Sequence, residues 1–156
     1  TCALPICAHI PVPHPPAPPE QAERLAWLGL LPFVMGAFLL WLINHPEALA
    51  FLALAQVAYG ATVLAFLGGV HWGLTMDTHG EPPRARLWSV VPALVGTLAV
   101  VMPPHAGLPL VGMMLVVCYL VDRRLYPLAG LGHWLTLRFR LTVVSSLSCF
   151  MAAAAT

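Results

Sequence analysis

The sequence predicts an all-α membrane protein with five transmembrane helices and its N-terminus on the inner side, meaning cytoplasm, matrix or stroma. Of the 156 residues, 60% are hydrophobic and only 8% are charged, whereas soluble domains carry about 25% charged residues. A soluble chain of this composition would lack the polar side chains to cover its surface. The formal net charge of +1 indicates no basic patch of the kind that nucleic-acid binding requires.

Residues 1–20 are predicted to form a proline-rich extended tail, separate from a five-helix transmembrane domain over residues 21–156. Closely spaced prolines favour polyproline II structure over helix. The tail also contains four side chains of metal-ligating type: Cys2, Cys7, His9 and His14. Their spacing matches no common zinc pattern, so no metal site is predicted there.

Five apolar runs are predicted to cross the membrane. The first, Leu25–Ile43, has a length that at about 1.5 Å per residue matches a hydrocarbon core of about 30 Å. Pro32 inside it predicts a kink. The second run, from about Ala48 to Met76, is longer than one crossing requires and should tilt or protrude. The remaining runs are Leu87–Met102, Gly107–Val121 and a last one from about Arg138 through Phe150 into the terminal alanines.

The arginines predict the orientation of these spans. All seven basic residues are arginine, and with five spans they fall on one side of the membrane: Arg24, Arg84, Arg86, Arg123, Arg124, Arg138 and Arg140. The opposite turns, residues 44–47 and 103–107, contain none. Because short inner loops are enriched in basic residues, the arginine side is predicted to be the inner side.

The second run carries small residues at every fourth position. Ala61, Ala65, Gly69 and Gly73 should form a smooth face that lets another helix backbone approach closely. We expect the other helices of the same bundle to occupy this face. The segment would then be the packing spine of the protein.

His71 is the candidate for chemistry within a span. An ionisable side chain in a membrane helix suggests function by default, and an imidazole can ligate haem iron or a chlorophyll magnesium. The structural alternative is a neutral histidine bonded to a neighbouring helix, to Asp122 or to an arginine. His71 lies six residues before Asp77, near the inner edge, and no second deep histidine completes a haem site. We therefore predict no catalytic, cofactor-binding or metal-binding residue, and no cofactor.

A basic inner rim is predicted around the end of the fourth span. Its members are Asp122, Arg123, Arg124, Arg138 and Arg140. The rim should set the topology and contact anionic lipid such as cardiolipin. Asp122 is also predicted to pair with Arg138, which would tie the fourth span to the fifth.

The sequence shows no nucleophile–base pair and no phosphate-binding loop, so no enzymatic activity is predicted. Three serines in the last span lack a histidine or carboxylate at helical spacing. They are expected to bond backbone carbonyls instead: Ser145, Ser146 and Ser148.

Three stretches carry a family resemblance. They are Tyr59–Ala61 with Phe66–Gly73, then Asp122, and then Trp134 with Leu137–Arg138 and Leu141–Thr142. Together they resemble the transmembrane protein 69 family, a domain-of-unknown-function family of proteobacteria and mitochondria. The family has an aromatic pair where this chain has Trp134–Leu135. The resemblance covers most of residues 25–150 and implies a five-helix inner-membrane protein, but no activity.

The favoured function is a non-catalytic accessory subunit or assembly factor of an energy-transducing membrane complex. A respiratory complex of the mitochondrial inner membrane is the expected host, with a bacterial inner membrane or thylakoid as the alternative. The expected partners are the membrane, other membrane subunits and anionic lipid. The alternatives are a pigment- or haem-binding protein using His71 and a small transporter. A transporter is disfavoured because the spans hold little charge and no repeat pair appears.

Overall fold

The computed structural model describes residues 19–76 and 83–156, with only the backbone described for residues 83–85. The predicted tail up to residue 18, its metal-ligand side chains and the loop over 77–82 lie outside these residues. The helices are α1 (Glu20–Leu28), α2 (Leu31–Leu42), α3 (Pro46–Met76), α4 (Pro83–Val101), α5 (Pro104–Leu125) and α6 (Leu135–Ala153), with a 3₁₀ turn at Gly132–Trp134. The predicted all-α class is confirmed.

Four helical segments of the described chain are long and apolar enough to cross a bilayer: Glu20–Leu42, Pro46–Met76, Pro104–Leu125 and Gly132–Ala153. Between them runs a shorter apolar helix, Arg86–Val101. Its sixteen residues cover about 24 Å at a rise of about 1.5 Å per residue. The predicted polytopic membrane fold is confirmed with four to five spans, and the orientation of the termini stays a prediction.

The first span breaks into two helices where the sequence predicts a kink. The break falls at Gly29 and Leu30, between α1 and α2. Pro32 has no N–H, and its ring clashes with the carbonyl four residues earlier, so the helix cannot continue unbroken. The Tyr59 hydroxyl of α3 donates to the carbonyl of Gly29 at 2.7 Å. A side chain from a neighbouring helix thus stabilises the break.

Glycines permit the close packing of α3 against α4 and α5. A Cβ placed on Gly68 would overlap the backbone carbonyl oxygen of Ser89, and one on Gly60 would lie 2.6 Å from a methyl group of Val111. In a bilayer, helices associate through such backbone approach because lipid is as apolar as their side chains. Gly60 and Gly68 therefore define the packed face of α3.

The predicted small-residue face of α3 is only partly covered. Ala61 packs against Gly96 of α4, but a Cβ at Gly69 or Gly73 would have no described atom within 4 Å, and Ala65 is exposed. The described part of the bundle therefore does not cover the whole face, contrary to the expectation. A shift of one residue rotates a helix by about 100°, which separates the packed glycines from the predicted face.

The helix ends that carry arginine meet at one end of the bundle. His71 near the end of α3 contacts Asp122 near the end of α5, which contacts Arg138 near the start of α6. Ala22 of α1 lines a cavity together with Trp134 at this same end. The arrangement agrees with the arginine segregation predicted from the sequence.

Candidate functional site

Asp122 is the centre of a buried polar cluster. It lies in the last turn of α5, and its side chain is 0% exposed. A buried carboxylate costs several kcal/mol (about 3–5 when one partner is removed) unless it is paired. Two other helices, α3 and α6, supply the partners.

Arg138 of α6 provides the first partner. Its Nε donates to Oδ2 of Asp122 at 2.8 Å, and Nη2 contacts the same oxygen. The guanidinium is largely buried, so water screens this ion pair only weakly. The predicted Asp122–Arg138 pair is confirmed, and it joins α5 to α6.

His71 of α3 provides the second partner. Its Nδ1 lies 3.0 Å from the carbonyl oxygen of Leu67, and its Nε2 lies 3.0 Å from Oδ1 of Asp122. The side chain is 4% exposed. The structural interpretation of His71, with Asp122 as a partner, therefore agrees with the geometry.

The Leu67 contact defines the tautomer of a neutral His71. A carbonyl oxygen only accepts, so Nδ1 of His71 donates to Leu67. A neutral imidazole of this tautomer would direct a bare Nε2 lone pair at Asp122 Oδ1. Nε2 and Oδ1 are buried and 3.0 Å apart, but neither atom has a hydrogen-bond partner of acceptable geometry among the described residues. The contact is an ion pair when the imidazole is protonated and an imidazole–carboxylate contact when it is neutral.

The three side chains form one polar cluster that joins α3, α5 and α6. Arg138 is permanently charged. The His71–Asp122–Arg138 cluster is called the triad below.

Tyr126 lies beside the triad, one helical turn after Asp122. Its side chain interacts with Arg138, and its ring centroid is 6.3 Å from that of His71. Burial raises the pKa of the Tyr126 phenol, while the positive charge of Arg138 opposes this rise. The phenol is therefore a neutral hydrogen-bonding group at physiological pH.

A cavity of about 810 Å³ opens beside the triad. Its walls are mainly apolar and come from α1, α2, α3, α5 and α6. Tyr126 and Arg138 line it, as does the indole of Trp134. Further lining residues are Ala22, Leu25, Ala26, Gly29, Leu30, Phe33, Tyr59, Thr62, Val63, Phe66, Leu67, Val70, Leu115, Leu131, Leu137, Leu141, Thr142 and Ser145.

The predicted basic rim is smaller in the structure. Asp122 is buried and Arg138 is largely buried, because both belong to the triad. Arg123, Arg124 and Arg140 are exposed. These three arginines are therefore the part of the predicted rim that can reach lipid headgroups, and the predicted lipid contact stays a prediction.

The serines of α6 bond as the sequence predicts. Ser145 donates to Leu141 O at 2.8 Å, and Ser148 donates to Val144 O at 2.8 Å. Ser146 donates to the carbonyl of Val143 at 3.3 Å. Each acceptor lies three or four residues earlier in the same helix, so these hydroxyls donate hydrogen bonds to backbone carbonyls of α6.

Two buried polar side chains were missed by the sequence reasoning, Tyr126 beside the triad and Gln56 farther along α3. Tyr126 follows Asp122 by four residues, and that spacing places it on the same helix face. Gln56 is buried in α3, and its Nε2 donates to Phe33 O at 3.2 Å. For Gln56, the available signal was a second polar side chain, Tyr59, three residues later in the same apolar helix. The cavity had no signal in the sequence, because apolar side chains do not reveal which helices they face.

Comparison with known proteins agrees with the predicted resemblance. Transmembrane protein 69 of Xenopus tropicalis is 42% identical over 86 residues, covering 52% of this chain and 32% of that protein. Transmembrane protein 69 of Mus musculus is 27% identical over 137 residues, covering 86% of this chain and 54% of that protein. The chain thus spans about a third to a half of the length of these curated relatives. No solved structure matches.

A family profile described as "Protein of unknown function (DUF3429)" matches residues 18–154. The match covers every described helix and all three residues of the triad. The chain therefore belongs to the DUF3429 family.

Proposed function

We propose that the protein is a non-catalytic accessory subunit or assembly factor of an energy-transducing membrane complex. The observation that carries the proposal is the internal pairing of Asp122 with His71 and Arg138. Ionisable residues in membrane helices commonly mark transport paths or cofactor sites. Here His71, Asp122 and Arg138 contact one another and join α3, α5 and α6. Such internal pairing is typical of a rigid structural protein.

The uncovered small-residue face of α3 supports a role among other subunits. Ala65, Gly69 and Gly73 are exposed, and no described atom approaches within 4 Å of a Cβ at either glycine. Such a face allows a helix from another protein to approach the α3 backbone closely. We propose this face, called the α3 small face, as the subunit contact.

The exposed arginines support contact with anionic lipid. Arg123, Arg124 and Arg140 lie at the same end of the bundle as the triad. Basic side chains at this level attract phosphate headgroups, each contributing about 1 kcal/mol near a charged surface. We propose a respiratory complex of the mitochondrial inner membrane as the setting, with cardiolipin as the anionic lipid.

The haem- or pigment-binding alternative has less support from the geometry. An axial ligand needs a ring nitrogen with a free lone pair directed at the metal. Both nitrogens of His71 instead lie 3.0 Å from protein oxygens, one of Leu67 and one of Asp122. A cofactor would have to displace one of these contacts.

Native electrophoresis of membranes solubilised in mild detergent tests the proposal. We expect the protein to migrate within an assembly much larger than its own mass. Gly69→Leu adds a bulky side chain to the α3 small face, where no described atom lies within 4 Å of a Cβ, and should release the protein from that assembly. Val143→Leu, at an exposed position on α6, should leave it bound. Migration of the native protein alone, at its own mass, would contradict the proposal.

A further inference from the structure

The cavity beside the triad has the size and shape of a ligand site. Its volume of about 810 Å³ lies within the range of roughly 300–1,000 Å³ typical of small-molecule pockets. Ala26 of α1, Val63 of α3 and Leu141 of α6 are among its apolar walls. The walls therefore favour a hydrocarbon chain.

One end of the cavity is polar and positively charged. Arg138 and Tyr126 line this end, and both belong to or contact the triad. The guanidinium of Arg138 has five N–H donors, and its contacts with Asp122 come from Nε and Nη2, so Nη1 is left for a further acceptor. Charge in a partly buried site acts more strongly than charge in water, so this end favours an anion.

A cavity with apolar walls and a charged end fits an amphiphilic ligand. The apolar walls match an acyl chain, and the charged end matches a headgroup with a net negative charge. We propose that the cavity binds an anionic phospholipid, with an acyl chain between α1, α3 and α6 and its phosphate at Arg138 and Tyr126. This site is separate from the exposed arginines, and it does not depend on the protein being a subunit of a complex.

Native mass spectrometry of the full chain tests the proposal. The purified protein is delipidated and titrated with phosphatidylglycerol or phosphatidylcholine of identical acyl chains. We expect phosphatidylglycerol to bind about fivefold more tightly, as expected for one unit charge at a membrane surface. Equal binding of the two lipids would overturn the proposal.

A cavity-filling variant locates the bound lipid. Ala26→Trp places an indole inside the cavity from α1, and we expect phosphatidylglycerol to bind at least about tenfold more weakly. Ala22→Trp, one turn earlier on the same cavity wall, should weaken binding in the same way. The same loss from two separate positions on one wall indicates a filled cavity, because a folding defect would not be expected at both. Ala55→Trp, an exposed position that does not line the cavity, is the matched control and should bind as the native protein does.

A second pair of variants distinguishes lipid bound in the cavity from lipid bound at the exposed arginines. Arg123→Gln and Arg124→Gln remove exposed charges outside the cavity, and we expect the preference for phosphatidylglycerol to persist. If these variants abolish the preference while Ala26→Trp and Ala22→Trp retain it, the lipid binds at the exposed arginines and the cavity proposal is wrong.

Discussion

His71 Nε2 of α3 lies 3.0 Å from Oδ1 of Asp122 in α5. The other oxygen of the same carboxylate accepts from Arg138 of α6 at 2.8 Å. One buried carboxylate thus joins three helices at one end of the bundle. Because apolar burial gives little drive for helix association in lipid, such polar contacts and close backbone packing determine how the helices fit together.

Asp122→Asn should destabilise the protein by about 3–5 kcal/mol, because it leaves Arg138 as a buried charge without a counter-ion. Unfolding in mixed micelles, followed by circular dichroism, measures this loss. Arg123→Gln, at the adjacent but exposed position, is the control and should change stability by less than about 0.5 kcal/mol. Equal stability of the two variants would show that the triad does not hold the helices.

Gly68→Ala and Gly69→Ala should have opposite effects although the two positions are adjacent. A methyl group at Gly68 meets the backbone carbonyl of Ser89, which cannot rotate away, so we expect a loss of about 1–3 kcal/mol. At Gly69 no described atom is within 4 Å. There, alanine should stabilise the helix by up to about 1 kcal/mol. Thermal unfolding in detergent compares them, and a stable Gly68→Ala variant would contradict the packing described for α3 and α4.

Tyr59→Phe should lower the stability of the protein, because it removes the hydrogen bond at the break between α1 and α2. The phenol donates to the Gly29 carbonyl at 2.7 Å, and its removal leaves an orphan carbonyl at a cost of about 1–3 kcal/mol. Thermal unfolding measures the effect. Tyr119→Phe removes a hydroxyl while keeping the ring beside Phe139 and should cost less. A larger loss for Tyr119→Phe would show that the Tyr59 contact is unimportant.

The predicted orientation places the loop after α5 on the inner side. Ala129→Cys in that loop should react with an impermeant maleimide from the inner face of membrane vesicles, and Glu47→Cys at the start of α3 should react from the outer face. Both are introduced with Cys2 and Cys7 replaced by serine. The native Cys118 and Cys149 are buried and should stay unlabelled. If both probes are labelled from the same face, the number of membrane crossings between them is even, which contradicts the three spans α3, α4 and α5. If Ala129→Cys is labelled from the outer face and Glu47→Cys from the inner face, the predicted orientation is wrong.

The sequence was sufficient for the spans, the arginine-bearing end and the Asp122–Arg138 pair. Hydropathy identifies membrane helices because the bilayer imposes their length. A carboxylate at the end of an apolar helix needs a cation, and Arg138 was suitably close in the predicted topology. The same reasoning placed His71 near the inner edge, beside the groups that it contacts in the structure.

The sequence was not sufficient for the packed face of α3 or the cavity. Lipid-facing and protein-facing residues are both apolar, so composition does not distinguish Gly68, which packs against Ser89, from Gly69, which is open. The contact of His71 Nδ1 with the Leu67 carbonyl also needed coordinates. These features depend on helix rotation, which hydropathy leaves undetermined.

The most direct test of the triad is a double-mutant cycle between Asp122 and Arg138. The free energy of unfolding in mixed micelles is measured for the native protein, Asp122→Asn, Arg138→Gln and the double variant. We predict a coupling free energy of about 2–3 kcal/mol, with the double variant more stable than the sum of the single losses implies. Single losses that add to within about 0.5 kcal/mol would contradict an Asp122–Arg138 pair that holds α5 and α6 together.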